Sequence, residues 1–404
     1  MMGDRSSVAP QGMPREVWIL GWVSLLMDVS SEMIHSLLPL FLVGTLGAGA
    51  FAVGLIEGLA ESTALIARVF SGTLSDWLGR RKGLAVFGYA LGALTKPLFA
   101  IAPGAGFVML ARWLDRIGKG IRGAPRDALL AEIAPAQLRG AAFGLRQSLD
   151  TAGAFIGPLL AVGLMLLWDD DFRAVFWVAT LPGLLAVVLL GAGIREPVRP
   201  ADAQRVRQPI RRDSLGRLGA DYRRVVGIGT ILTLARFSEA FLVLRAQQAG
   251  IPVALVPLVM VAMNLVYAAS AYPFGRLSDR ISQHRLLAIG LVVLIAADLL
   301  LASSAHWPTI LAGVALWGVH LGMTQGLLAK MVADTTPADL RGTAFGVFSL
   351  ASGVAMLAAS ALAGLLWERL GAPSTFLAGA IFCLIALAAL FPTSRRGDPG
   401  QRAQ

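Results

Sequence analysis

Apolar residues run along this chain in blocks of about 20, broken by short stretches of Gly, Pro and charge. The blocks fall near 17–43, 51–72, 83–102, 105–128, 139–168, 173–194, 225–246, 251–275, 286–304, 307–333, 341–366 and 374–392. A bilayer core needs about 20 mainly apolar residues per helical span, so the pattern predicts twelve membrane-spanning helices. A membrane β-strand would alternate apolar and polar residues over about 10 positions. The stretch Leu286–Leu301 reads instead as a continuous apolar run, and the expected fold class is an all-α integral membrane protein.

Composition agrees: 404 residues, 56% hydrophobic and 15% charged, with mean hydropathy +0.69, hold more apolar surface than a soluble core needs. The net charge of +10 would suggest nucleic acid in a soluble protein, but here its placement decides. Arg80, Arg81 and Lys82 follow the second block, Arg276, Arg280 and Arg285 the eighth, and Arg395, Arg396 and Arg402 the twelfth. Nine arginines between Arg195 and Arg224 follow the sixth, whereas Gly44–Ala50 and Pro103–Gly106 carry no charge. The positive-inside rule then puts both termini and the central loop in the cytoplasm, as an even number of spans requires. Met1–Pro14 is polar and lacks the apolar core of a signal peptide, so the first span is expected to be retained. The one cysteine, Cys383, allows neither an intrachain disulfide nor a cysteine metal cluster. No metal or cofactor is expected, and Gly-, Ala- and Arg-rich usage suggests a bacterial cytoplasmic membrane.

The chain also repeats itself. Gly72-Thr-Leu-Ser-Asp76 recurs as Gly275-Arg-Leu-Ser-Asp279 about 203 residues later, and Pro135-Ala-Gln-Leu-Arg139-Gly140-Ala-Ala-Phe143-Gly144 as Pro337-Ala-Asp-Leu-Arg341-Gly342-Thr-Ala-Phe345-Gly346 about 202 residues later. Each copy follows the second or fourth span of its half on the same side of the membrane, so the halves are parallel repeats. Such repeats imply a solute site between them and alternating access by rocking. The expected organisation is a tail over 1–16, a six-helix bundle over 17–194, a basic linker over 195–224, a second six-helix bundle over 225–392 and a tail over 393–404. The linker reads as a tether, with contact to anionic lipid headgroups as the alternative.

Gly72, Asp76, Gly79, Arg80 and Arg81, with Trp77 where Arg is usual, resemble the signature between helices two and three of the major facilitator superfamily. Gly275, Asp279 and Arg280 resemble its second copy, with Ser282 in place of a Gly. The resemblance implies a gating motif in which Gly lets helix ends approach and charges bridge the halves. In span four, Arg116, Lys119 and Gly120 resemble the superfamily's Arg-x-x-Gln-Gly pattern, with Lys119 for Gln and Arg122 for a Gly. In span five, Gly153, Gly157 and Pro158, with Ala161 for the last Gly, are similar to its antiporter motif, which implies export. Plain small-residue packing of that helix face is the alternative.

A charge in mid-membrane costs roughly 2.5–3.5 kcal/mol on insertion scales, so such residues usually face a cavity or a pathway. Asp28, Glu32 and His35 recur at i, i+4 and i+7 on one face of span one. Glu57 and Glu61 sit in span two, Arg112, Asp115, Arg116, Lys119, Arg122, Arg126 and Asp127 in span four, and Arg146 and Asp150 in span five. These predict a polar network for proton coupling and solute binding, or alternatively a set of structural ion pairs. His35 and His320 read as packing histidines. The second half offers fewer charges, chiefly Arg236, Glu239 and Arg245, beside Asn264, Tyr267, Gln325 and methionines suited to an amphipathic solute.

The function expected is a secondary transporter, with proton-coupled efflux of a small amphipathic or toxic solute preferred and proton-coupled import of a small organic anion as the alternative. Neither a nucleophile constellation nor a nucleotide-binding loop appears, which argues against an enzyme. Terminal segments too short for an output domain argue against a sensor. The expected partners are a small-molecule substrate, protons and membrane lipid, without nucleic acid, and the protein is expected to be a monomer.

Overall fold

The structure is a computed structural model that describes residues 12–78, 80–196, 216–278, 280–303, 306–337 and 340–390. All regular structure among them is helical. Spans one to six are Arg15–Thr45, Ala50–Leu78, Arg81–Ile101, Ala105–Ile133, Arg139–Leu167 and Phe172–Gly193. Spans seven to twelve are Ala220–Gln248, Val253–Leu277, Gln283–Ser303, Trp307–Asp334, Arg341–Leu370 and Ala372–Leu390. Eleven of these are long and apolar enough to cross a membrane by composition alone. Span four has the length but carries too many charges for that criterion. It spans by burying Arg112, Asp115, Arg116 and Arg122 among its neighbours, while Leu110 and Trp113 stay exposed.

Two departures from the expected pattern matter. Span one ends in a π-helical turn, Phe41–Thr45. Span seven, expected as one helix over 225–246, is broken into Ala220–Ala235 and Ala240–Gln248. No Pro or Gly marks the break; Arg236 leaves the helical region at φ −105°, ψ 71°. The Ser238 hydroxyl accepts from the Ala240 N–H at 3.2 Å, and Ser360 of span eleven accepts from the Ser238 N–H at 3.1 Å. Side-chain hydroxyls thus take up two of the amides that the missing helical bonds release.

The chain forms two compact units. The first comprises Met1–Gly47, Thr63–Pro209 and Val253–Val261, the second Ala48–Ser62, Ile210–Pro252 and Ala262–Gln404. In the first, span one packs on spans five and six, and span three on spans four and six. In the second, span seven packs on spans eleven and twelve, and span nine on spans ten and twelve. Each pairing in one unit reappears six spans later in the other, as duplication of the sequence requires. The first unit's core joins Val17, Leu20, Val23 and Met27 of span one to Tyr89 and Ala93 of span three and Leu190 of span six, all at most 1% exposed.

Candidate functional site

Span one of the first unit presents Asp28, Glu32 and His35 along one face, with His35 Nδ1 3.3 Å from a Glu32 carboxylate oxygen. Span four lies opposite. Its Lys119 acts electrostatically on both acids, Arg122 on Asp28 and Arg116 on Glu32, while Asp150 of span five acts on Asp28. Arg146 donates to Asp150 at 2.8 Å and to Gln147 at 2.7 Å. Arg126 donates to Ser24 at 3.2 Å, pairs with Asp127 at 3.0 Å and lies 3.8 Å from Asp150. Spans one, four and five thus share a continuous set of charges in which acids and bases alternate.

A second, drier cluster is centred on a residue that no sequence motif singles out. Lys96 of span three is 1% exposed and donates to Asp115 of span four at 2.8 Å and to Ser31 of span one at 3.1 Å. Arg112 lies 3.8 Å from the other Asp115 oxygen. A buried pair holds only if hydrogen bonds replace the lost water, and helix geometry supplies them. A Cβ on Gly88 would stand 2.7 Å from the Arg122 amide nitrogen, and one on Gly118 would stand 2.7 Å from the Gly88 carbonyl. Spans three and four therefore cross backbone to backbone, which brings Lys96 and Asp115 into register. Arg122 lies over the Tyr89 ring, 4.9 Å from its centroid.

The small residues of span five meet span one at its acids. A Cβ on Gly153 would stand 3.0 Å from the Asp28 Cβ and 2.7 Å from the Leu25 carbonyl; one on Gly157 would stand 2.9 Å from both the Glu32 Cβ and the Val29 carbonyl. Pro158 is buried in the same helix. Of the other motif residues, Gly72 faces Ala124, and the Gly120 carbonyl accepts from Ser71 of span two at 2.9 Å. Arg81 pairs with Glu132 at 2.8 Å and donates to the Ala128 carbonyl at 3.0 Å, tying the start of span three to the end of span four. Arg80 and Arg280 are exposed. Gly79, Asp279 and the side chain of Asp76 lie outside the described residues.

Glu57 and Glu61 lie in the part of span two that precedes Thr63. They belong to the second unit, where Glu57 is fully buried and the neighbouring Gly54 and Gly58 lie against Ser360 of span eleven. Arg236 and Glu239 sit at the break in span seven and interact electrostatically with each other. Asn264 is partly buried in span eight. Spans eight and ten line an open cavity of about 410 Å³ whose walls include Tyr267, Gly275, Met323, Gln325 and Lys330. The stretch Leu286–Leu301 is not wholly apolar: Asp298 lies inside it, completely buried. Among the described residues no group of three or more His, Cys, Asp or Glu could hold a metal ion.

These features agree with what the chain is similar to. Residues 20–238 and 225–404 match the sequence profile of the Major Facilitator Superfamily. An uncharacterised MFS-type transporter of Methanocaldococcus jannaschii is 32% identical over 378 residues, covering 92% of this chain and 93% of the relative. The multidrug resistance protein MdtH of Yersinia pestis is 27% identical over 330 residues, covering 78% of this chain and 77% of the relative. A crystal structure of a bacterial homologue of the human lysosomal transporter Spinster superposes with a TM-score of 0.77 at 14% identity, over 93% of this chain and 95% of that one. With the profile covering both repeats, the chain belongs to the major facilitator superfamily of membrane transporters.

Proposed function

We propose that this transporter is a proton-coupled exporter, exchanging protons for a small amphipathic solute by alternating access, with Asp28 as the proton-carrying acid. The observation that carries this reading is the packing of Gly153 and Gly157 against Asp28 and Glu32. A carboxylate couples a gradient to transport only if changing its charge moves a helix. Here the acids sit where span one touches span five backbone to backbone, so a shift at Asp28 is passed directly to the helix bearing the antiporter-like motif. Lys119 and Arg122 act electrostatically on the same acid, so cationic partners stand ready for the carboxylate that proton release leaves. The multidrug resistance relative is consistent with export.

A second reading, import of a small organic anion with protons, draws on the basic residues of span four, of which Lys119 is exposed. Both readings take the protein as a monomer in a bacterial cytoplasmic membrane with both termini cytoplasmic. Everted vesicles separate them. Acidifying the lumen should drive uptake of a lipophilic cation such as tetraphenylphosphonium or ethidium, and collapsing the pH gradient should abolish it. Export of this class is contradicted if cations are ignored while organic anions leave the lumen with protons.

A further inference from the structure

Asp298 is the sixteenth residue of Gln283–Ser303, and Lys96 is the sixteenth of Arg81–Ile101. The two occupy one position in the repeat, about 202 residues apart. In the first unit that position is compensated, since Lys96 holds both Asp115 and Ser31. In the second unit the equivalent Asp298 is 0% exposed, and neither carboxyl oxygen has a hydrogen-bond partner among the described residues.

The surroundings say what Asp298 carries. Oδ2 and the Ala235 carbonyl oxygen both lie against Gly379 of span twelve, 2.6 and 3.3 Å from where a Cβ would stand there, beside the Phe237 ring at 3.2 Å. Ala235 is the last residue before the break in span seven. The titratable groups of spans seven, ten and twelve leave both Asp298 oxygens without a hydrogen bond. Cys383 of span twelve is a thiol within its electrostatic reach. Arg236 interacts with Glu239, Arg245 donates to the Leu301 carbonyl at 2.9 Å, and His320 of span ten is within hydrogen-bond distance of the Gly290 carbonyl at 2.8 Å. A carboxylate left alone in such a place is strongly disfavoured, and the group neutralises instead. A hard metal cation would need several oxygen ligands, whereas phenylalanine, glycine and a thiol supply none from their side chains.

We propose that Asp298 is a proton-binding site of the second unit, separate from the span-one acids, and that its proton is held only while span seven keeps the broken form that lies against it. Protonation gives the acid a donor close to the Gly379 surface that the Ala235 carbonyl also meets, and the carbonyls at the end of a helical piece lack intrahelical partners. Loss of the proton would leave a bare charge and drive the break to rearrange. The inference does not depend on the direction of transport or on the solute.

The test uses the full chain in lipid nanodiscs. Infrared spectra at neutral pH should contain a carboxylic-acid C=O band that disappears in Asp298→Asn and persists in Asp28→Asn. Hydrogen exchange of a peptide covering 235–241, corrected for its intrinsic pH dependence, should accelerate on alkalinisation in wild type and not in Asp298→Asn. An infrared spectrum unchanged by Asp298→Asn overturns the proposal, as does alkaline exchange that accelerates equally in both proteins. An Asp298→Asn chain that no longer folds also overturns it, because a neutral amide should stand in for a neutral acid.

Discussion

Gly153 of span five is held against Asp28 of span one so closely that a side-chain carbon added at Gly153 would stand 3.0 Å from the Asp28 Cβ and 2.7 Å from the Leu25 carbonyl. Backbone cannot yield there as the tip of a flexible side chain can. The residue proposed to carry the proton and the small-residue face of the antiporter-like motif are therefore two sides of one contact.

Gly153→Val should consequently separate spans one and five and lower initial transport rates by at least tenfold while leaving an inserted protein. Overpacking of this kind costs about 1–3 kcal/mol, so the melting temperature in detergent should also fall. A Cβ added at Gly163, further along span five, would meet nothing within 4 Å, and Gly163→Ala is expected to transport and melt like wild type.

The Lys96–Asp115 pair should behave as a unit. Removing one partner from a buried pair costs about 3–5 kcal/mol because a lone charge stays behind. Lys96→Met and Asp115→Asn should each destabilise strongly, and the double variant should recover much of the loss. Thermal melting of the two single variants and the double variant checks this; additive effects would show that the two residues do not depend on each other.

Arg81 ties spans three and four through Glu132 and the Ala128 carbonyl. Both partners are partly exposed, with side chains 16% and 27% accessible, so the ion pair contributes at most about 1 kcal/mol. Glu132→Gln should therefore change the melting temperature little, and rising salt should weaken the wild-type contact. Melting curves at low and high ionic strength measure it.

The span count, the duplication and the motif positions are legible in the sequence because they depend on period and spacing. The shared face of Asp28, Glu32 and His35 follows from helical geometry alone. Lys96 and Asp298 escape such a reading because each is a single charge in an otherwise apolar run. A repeat offset of about 202 residues connects them, but that they share a register only becomes plain when both are seen as sixteenth in helices of 21 residues. The break in span seven has no Pro or Gly to announce it. It depends on tertiary contacts, among them the Ser360 hydroxyl from span eleven, that no local pattern contains. Span two is divided between the two units after Ser62, so Glu57 and Glu61 belong to the second unit, a division that no local pattern marks.

The proton-carrying role of Asp28 is tested most directly by comparing two kinds of transport in proteoliposomes containing wild type or Asp28→Asn, with a lipophilic cation as solute. Counterflow exchanges solute for solute and needs no net proton movement; gradient-driven accumulation needs the proton. Asp28→Asn should retain counterflow and lose accumulation driven by the pH gradient. Accumulation at the wild-type level in Asp28→Asn would contradict that role.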